Sequence, residues 1–247
     1  MQKTMVAGAL AMMFAIFSWT PVAISQSKTA ASYVERGDKF HTQGDLDRAI
    51  ADYTIAIQIS PNYALAYFNR ALVRQEKGEL DESLADYTKA LEIDPGSADA
   101  FVNRGNVFGM KNDAEKALAD YASALQLNPR LTKVFYNRAN VRFMTGDLHG
   151  ALEDFDRALE GDSKYVLAYN NRGVLRQHMG DLGGAIADFD QAIKHNPRHA
   201  EAYANRGFAR LLLGKKADAE RDFARSLTLN PSLRSLIQNL IAGISPQ

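Results

Sequence analysis

The chain has 247 residues, 46% of them hydrophobic, and its 29 Lys and Arg cancel its 29 Asp and Glu. That balance excludes the basic excess with which a chain neutralises nucleic-acid phosphates or settles on anionic lipid, so neither nucleic acid nor a membrane surface is an expected partner. Cysteine is absent, which excludes a disulfide framework, thiol chemistry and the lipid-attachment cysteine of a bacterial lipoprotein.

The first 25 residues differ from the rest. Lys3 is the only charge before Ser27, and it precedes an apolar run from Met5 to Phe17, then Pro21 and the small residues Ala23 and Ser25. This order suits an export signal spanning residues 1–25 and cleaved before Gln26, which makes the mature protein periplasmic or secreted. The alternative is an uncleaved N-terminal membrane anchor running from Met5 to Ile24.

From residue 30 onward the sequence repeats. Pro61, Pro95, Pro129, Ser163, Pro197 and Pro231 fall 34 residues apart, and six units follow without a gap: 30–63, 64–97, 98–131, 132–165, 166–199 and 200–233. A period in this range marks a solenoid of small stacked units. Within each unit, position 4 is Tyr or Phe and position 8 is Gly or Ala, the first pair being Tyr33 and Gly37, which share one face of a helix. Position 15 is Gly in five units and Asn112 in the third, the residues that best tolerate a left-handed turn, so the first helix ends there. Acids follow at position 16 in every unit but the last, where Lys215 stands, and they suit the N-terminus of a second helix. That helix carries small, aromatic and small residues at positions 20, 24 and 27, seen as Ala49, Tyr53 and Ala56, and it stops before the proline column. Each unit therefore reads as a helical hairpin. After the last one, residues 233–244 put Leu236, Ile237, Leu240, Ile241 and Ile244 on one face, as a capping helix would.

These columns resemble the tetratricopeptide repeat, and the resemblance covers all six units in register. It implies an all-α, right-handed superhelical solenoid of helix-turn-helix units with a C-terminal capping helix. The chain departs from the family at position 7, which is Arg in every unit, and at position 11, which is Phe40, Arg74, Phe108, Arg142, Arg176 and Arg210.

Enzymatic readings lack an inventory. His41, His149, His178, His195 and His199 do not recur in phase with the repeat, and Pro197 interrupts the His195–His199 spacing, so no metal site, cofactor or catalytic set is expected. The strongest charged pattern pairs Arg36, Arg70, Arg104, Arg138, Arg172 and Arg206 at position 7 with Asp52, Asp86, Asp120, Asp154, Asp188 and Asp222 at position 23. Such strict co-occurrence predicts structural ion pairs, either within a unit or to the preceding one.

Position 6 is Asn69, Asn103, Asn137, Asn171 and Asn205, with Glu35 in the first unit. The resemblance puts this column in the concave groove, in a run similar to the asparagine ladder of the O-GlcNAc transferase superhelix. Such amides can bond the backbone of an extended peptide, or they can bond neighbouring helices instead. Phe68, Tyr136, Asn106, Asn140 and Phe143 supply side chains for selectivity beside them. The chaperone-tail-binding members hold a terminal carboxylate with lysines and an arginine, but Phe68, Leu72, Asn103, Lys133 and Asn137 stand at the corresponding columns, so most of that clamp is missing. The expected function is a non-enzymatic scaffold that mediates protein–protein interaction by holding a peptide or protein segment in its groove. The alternative is a structural or self-assembling envelope protein that uses its array ends or convex face. The partner and the oligomeric state are not legible.

Overall fold

The structure is a computed structural model that describes residues 29–242; the expected export signal over residues 1–25, and Ile244 of the expected capping helix, lie outside the described residues. Among them are helical pairs α1 Ala30–Thr42 and α2 Leu46–Ile59, α3 Ala64–Glu76 and α4 Leu80–Ile93, and α5 Ala98–Met110 and α6 Ala114–Leu127. There follow α7 Thr132–Met144 and α8 Leu148–Gly161, α9 Val166–His178 and α10 Leu182–His195, and α11 Ala200–Leu212 and α12 Lys216–Leu229. A 3-10 turn over Pro231–Leu233 leads into α13, Arg234–Ala242. Each helix from α1 to α12 packs on the next in chain order, so the molecule is an all-α superhelical repeat array.

The hairpin turns form as their residues dictate. Gly44 has φ 78° and Asn112 φ 59°, both left-handed, and the turn after α1 closes with Gly44 N–H donating to His41 O and Asp45 N–H to Phe40 O. These are the paired backbone bonds of a Schellman motif. Asp45, Asp113, Asp147 and Asp181 then cap the second helices by accepting the backbone N–H three residues on. Glu79 makes no such cap; its longer side chain pairs with Lys77 at 2.8 Å instead.

Packing follows the small-and-aromatic columns. Tyr53, Tyr87, Phe155 and Phe189 are fully buried, each against small residues of its own hairpin and side chains of the next. A Cβ on Gly37 would lie 2.6 Å from Tyr53 Cε1, so the aromatic ring sits where a side chain at position 8 would otherwise begin. The core is thus a row of small clusters, as expected of an array whose units touch only their neighbours.

The C-terminal helix covers less than its sequence suggests. Ile237 is buried beside Ala204 and Phe223, but Leu236 is 49% exposed and Ile241 39%. α13 is short and meets the array through the 3-10 turn and α11, so one apolar row faces the core and the flanking residues do not.

Candidate functional site: the inner face of the first helices

Successive first helices α1, α3, α5, α7, α9 and α11 touch one another, and no pair of successive second helices comes as close. The first helices therefore line the inside of the curve, and the second helices form its outer wall. What faces the groove is decided by how side chains lock the first helices in place.

The lock is a buried ion network. In all six units the position 7 arginine makes two parallel bonds to the aspartate of its own unit, as Arg104 does through Nε and Nη2 to Asp120 at 2.8 and 2.8 Å. Arg36–Asp52, Arg70–Asp86, Arg138–Asp154, Arg172–Asp188 and Arg206–Asp222 repeat this fork. Charge-assisted bidentate geometry satisfies aspartates that are almost fully buried. Each guanidinium also lies 5.0–5.7 Å from the centroid of the position 4 ring of its own unit.

Two features of the network were not read from sequence. The position 11 arginines Arg74, Arg142, Arg176 and Arg210 add a second guanidinium to the same carboxylate, at 2.7–2.9 Å. In the units where Phe40 or Phe108 replaces them, the aspartate has one arginine. The third nitrogen of the position 7 arginine, Nη1, reaches back to position 25 of the preceding unit: Thr54, Thr88, Asp156 and Asp190 accept it from Arg70, Arg104, Arg172 and Arg206. Burial opposes the charge on Arg172, but its bonds to Asp188 and Asp156 outweigh that and hold its pKa above the ordinary arginine range; Arg206 is raised in the same way by Asp222 and Asp190.

The asparagine column is tied in by the same logic. Asn69 donates to Asp38 at 2.8 Å, Asn137 to Asn106 at 2.9 Å and Asn171 to Asn140 at 2.8 Å, each at position 9 of the preceding unit. Asn205 reaches Asn170 instead, at 3.0 Å. Asn103, for which position 9 of the preceding unit is the apolar Leu72, is the ladder member with no hydrogen bond to protein among the described residues. Asn106 Oδ1 accepts a second bond from Tyr121 Oη at 2.9 Å, as Asp38 does from Tyr53. Burial pushes the Tyr121 hydroxyl up to about 12, and burial together with Asp38 raises Tyr53. Asn69, Asn137 and Asn205 thus each spend one amide N–H on the neighbouring unit, whereas Asn171 donates to both Asn140 and Tyr136 and accepts from Asn170. Among the described residues, the carbonyls of Asn69, Asn137 and Asn205 accept no side-chain or backbone bond, and Asn103 neither accepts nor donates one.

The aromatic groups expected to select partners are half-buried. Phe68 packs edge-on against Tyr87 at 5.7 Å and lines a hollow of about 200 Å³ with Leu65 and Asp99. Tyr136 lies tilted against Phe155 and Tyr165, with ring centroids 6.1 and 4.9 Å away, and accepts from Asn171, while Phe143 packs edge-on with His178. His195 stacks on Tyr169, and His199 Nδ1 lies 3.0 Å from Glu201. No group of three or more His, Asp or Glu able to hold a metal ion occurs among the described residues.

The most exposed apolar groups on the first helices were missed. Met110 (56%) and Met144 (76%) stand at position 13, with Leu212 there in the last unit, and Leu65 and Leu167 stand at position 2. Met144 lines a second hollow of about 170 Å³ with Gly109 and Val141. Three large apolar residues in a column at a helix end were the available signal.

Comparison with known proteins places this arrangement. No curated protein matches the chain in sequence. Among solved structures it is similar to a tetratricopeptide repeat protein of Parabacteroides merdae, with 26% identity and TM-score 0.71 over 81% of this chain and 79% of that one. It is similar to YrrB, described as a TPR protein with an unusual peptide-binding site, with 27% identity and TM-score 0.62 over 72% of this chain and 92% of that one. It shares its fold with PilF of Pseudomonas aeruginosa, at 20% identity and TM-score 0.75 over 87% of this chain and 97% of that one. Models described as TPR repeat match residues 37–78 and 74–112, and models described as tetratricopeptide repeat match 102–166, 166–199 and 189–221. With most of its length matched in this way, the chain belongs to the tetratricopeptide repeat family.

Proposed function

We propose that the protein is an exported, non-enzymatic scaffold whose concave groove holds an extended segment of a partner protein. The observation that carries this reading is the half-spent amide column. Inter-unit bonds fix the orientation of Asn69, Asn137 and Asn205, yet leave their carbonyls free to accept from a peptide backbone, and Asn103 keeps its whole amide. A pre-oriented acceptor binds with little ordering cost. Met110, Met144, Leu65 and Leu167 supply flexible apolar contact along the same helices, with Phe68, Tyr136 and Phe143 set deeper for selectivity and Asn106 and Asn140 holding the ladder from behind. The peptide-binding site named for YrrB supports the same use of the fold.

The test is capture of partners from an envelope extract by wild-type protein and by Asn103→Ala, whose side chain supports nothing else. Capture that falls with Asn103→Ala while melting is unchanged supports the groove; undiminished capture moves the interface elsewhere.

A second reading has its own observation. Leu212, Leu213, Leu236 and Ile241 are all exposed near the C-terminal end of the array, where a further copy could cover them. Light scattering of wild type and of Leu236→Ser/Ile241→Ser decides it: a dimer that becomes a monomer supports self-assembly, and a wild-type monomer rejects it.

A further inference from the structure

One place in the array lacks a link present in its neighbours. Arg70, Arg104, Arg172 and Arg206 each bond position 25 of the preceding unit through Nη1, but for Arg138 that position is Ala122. Arg138 uses Nε and Nη2 on Asp154, and no side chain among the described residues bonds its Nη1. Arg138 also lines a cleft of about 730 Å³, which lies between α7 and α8 and opens beside Pro129 and Arg130, away from the asparagine column. Position 30 is Gly161 in this unit, where Ile59, Ile93, Leu127 and Leu229 stand in others, and the place where its side chain would begin is taken by the smaller Thr132, which lines the cleft.

Charge in the cleft is partly used up. Asp154 is bonded by Arg138 and Arg142, and Glu160 by Arg157, which leaves the exposed Arg130 with no ion pair among the described residues and Glu153 as the one unpaired acid. The molecule itself shows what fits against the missing position. In the next two units a carboxylate occupies it, Asp156 at 2.5 Å from Arg172 Nη1 and Asp190 at 2.6 Å from Arg206 Nη1.

We propose that the cleft between α7 and α8 is a second binding site, in which Arg138 Nη1, helped by Arg130 at the rim, takes a carboxylate from outside the chain where the neighbouring units use their own. The guanidinium is already held flat by its fork to Asp154 and by Phe135, 5.6 Å from its centroid, so a carboxylate meets an oriented donor. The site is independent of the groove, because none of the ladder residues lines it.

The test is an NMR titration of the full chain that follows the arginine Nε–H signals. The probes are sodium acetate and a terminally blocked pentapeptide, Ala-Ala-Glu-Ala-Ala, whose only carboxylate is the glutamate. The expected result is a saturable shift of Arg138 Nε–H with Arg172 and Arg206 still, lost in Ala122→Asp, which supplies the carboxylate internally as the next two units do. Saturation by the peptide at lower concentration than acetate assigns the source to a protein side chain; saturation at the same concentration assigns it to a small free acid. Absence of saturation with either probe, or an Ala122→Asp protein that responds like wild type, overturns the proposal. Melting of Ala122→Asp at or above the wild-type temperature shows that the variant is folded with its new pair formed, and a lower melting temperature contradicts the geometry on which the site rests.

Discussion

The arginine network makes a differential prediction from two nearly matched sites. Arg104 and Arg138 have side-chain exposures of 19% and 18%, each forks onto a buried aspartate, and each stacks on a phenylalanine at position 4. They differ in what remains after truncation. Arg104→Ala leaves Asp120 with no cation, because position 11 of that unit is Phe108, and it also removes the bond to Thr88. Arg138→Ala leaves Asp154 bonded to Arg142 at 2.9 Å. Leaving a buried charge without its partner costs about 3–5 kcal/mol, whereas losing charge-assisted bonds from an ion that keeps another partner costs about 1–2 kcal/mol. A difference of about 2 kcal/mol corresponds to roughly 4–8 °C in Tm for a chain of this size. Thermal melting by circular dichroism, with urea unfolding to check that the m-value is unchanged, measures both variants. Equal losses, or a larger loss for Arg138→Ala, would refute the claim that the second arginine carries part of the aspartate's charge.

Asn137→Ala removes the donor that Asn106 accepts and should cost about 1 kcal/mol, while Asn103→Ala should stay within about 0.5 kcal/mol of wild type; matched melting curves for the two would mean the inter-unit bond contributes nothing. At high pH, Tyr121 and Tyr165, both pushed up to about 12 by burial, should ionise well after the ordinary phenol range in a spectrophotometric titration. Because their folded-state values are raised above the unfolded 10.0, the stability they contribute is complete below pH 10 and is lost as pH rises toward 12, so urea midpoints should fall across that window; a flat midpoint would place these hydroxyls in water. If residues 1–25 are an export signal, N-terminal sequencing of the protein from the periplasm or medium should begin at Gln26; intact Met1 in the membrane fraction would instead identify an anchor.

Much of the fold was legible because each unit repeats the same physical instructions. The left-handed residue at position 15, the capping acid at 16 and the proline column mark both helices, and the structure ends them there. The arginine–aspartate pairing was visible in its strict co-occurrence. Which aspartate each arginine takes was not, since that depends on the helix-to-helix rotation within a hairpin, and periodicity carries no information about rotation. The second arginine was half visible: position 11 is Arg in four units and Phe in two, but only coordinates reveal that Arg142 and Arg138 converge on one carboxylate. The asparagine column was found by its regularity, while its partners at position 9 were obscured because Asp38, Leu72, Asn106 and Asn140 vary from unit to unit. The apolar tail misled for a different reason. A helix that ends an array has one neighbour, so Ile237 finds a core and Leu236 does not.

The central claim, that the inner face of the first helices holds the partner, is tested most directly by site-specific photo-crosslinking in cells. A benzophenone side chain placed at Met144, 76% exposed on α7, is compared with one at Lys89, 46% exposed on α4 of the outer wall. A discrete covalent product from Met144, absent from Lys89 and lost when Asn103→Ala is combined with it, is the predicted result. A product from Lys89 alone, or from both positions with Asn103→Ala making no difference, would contradict it.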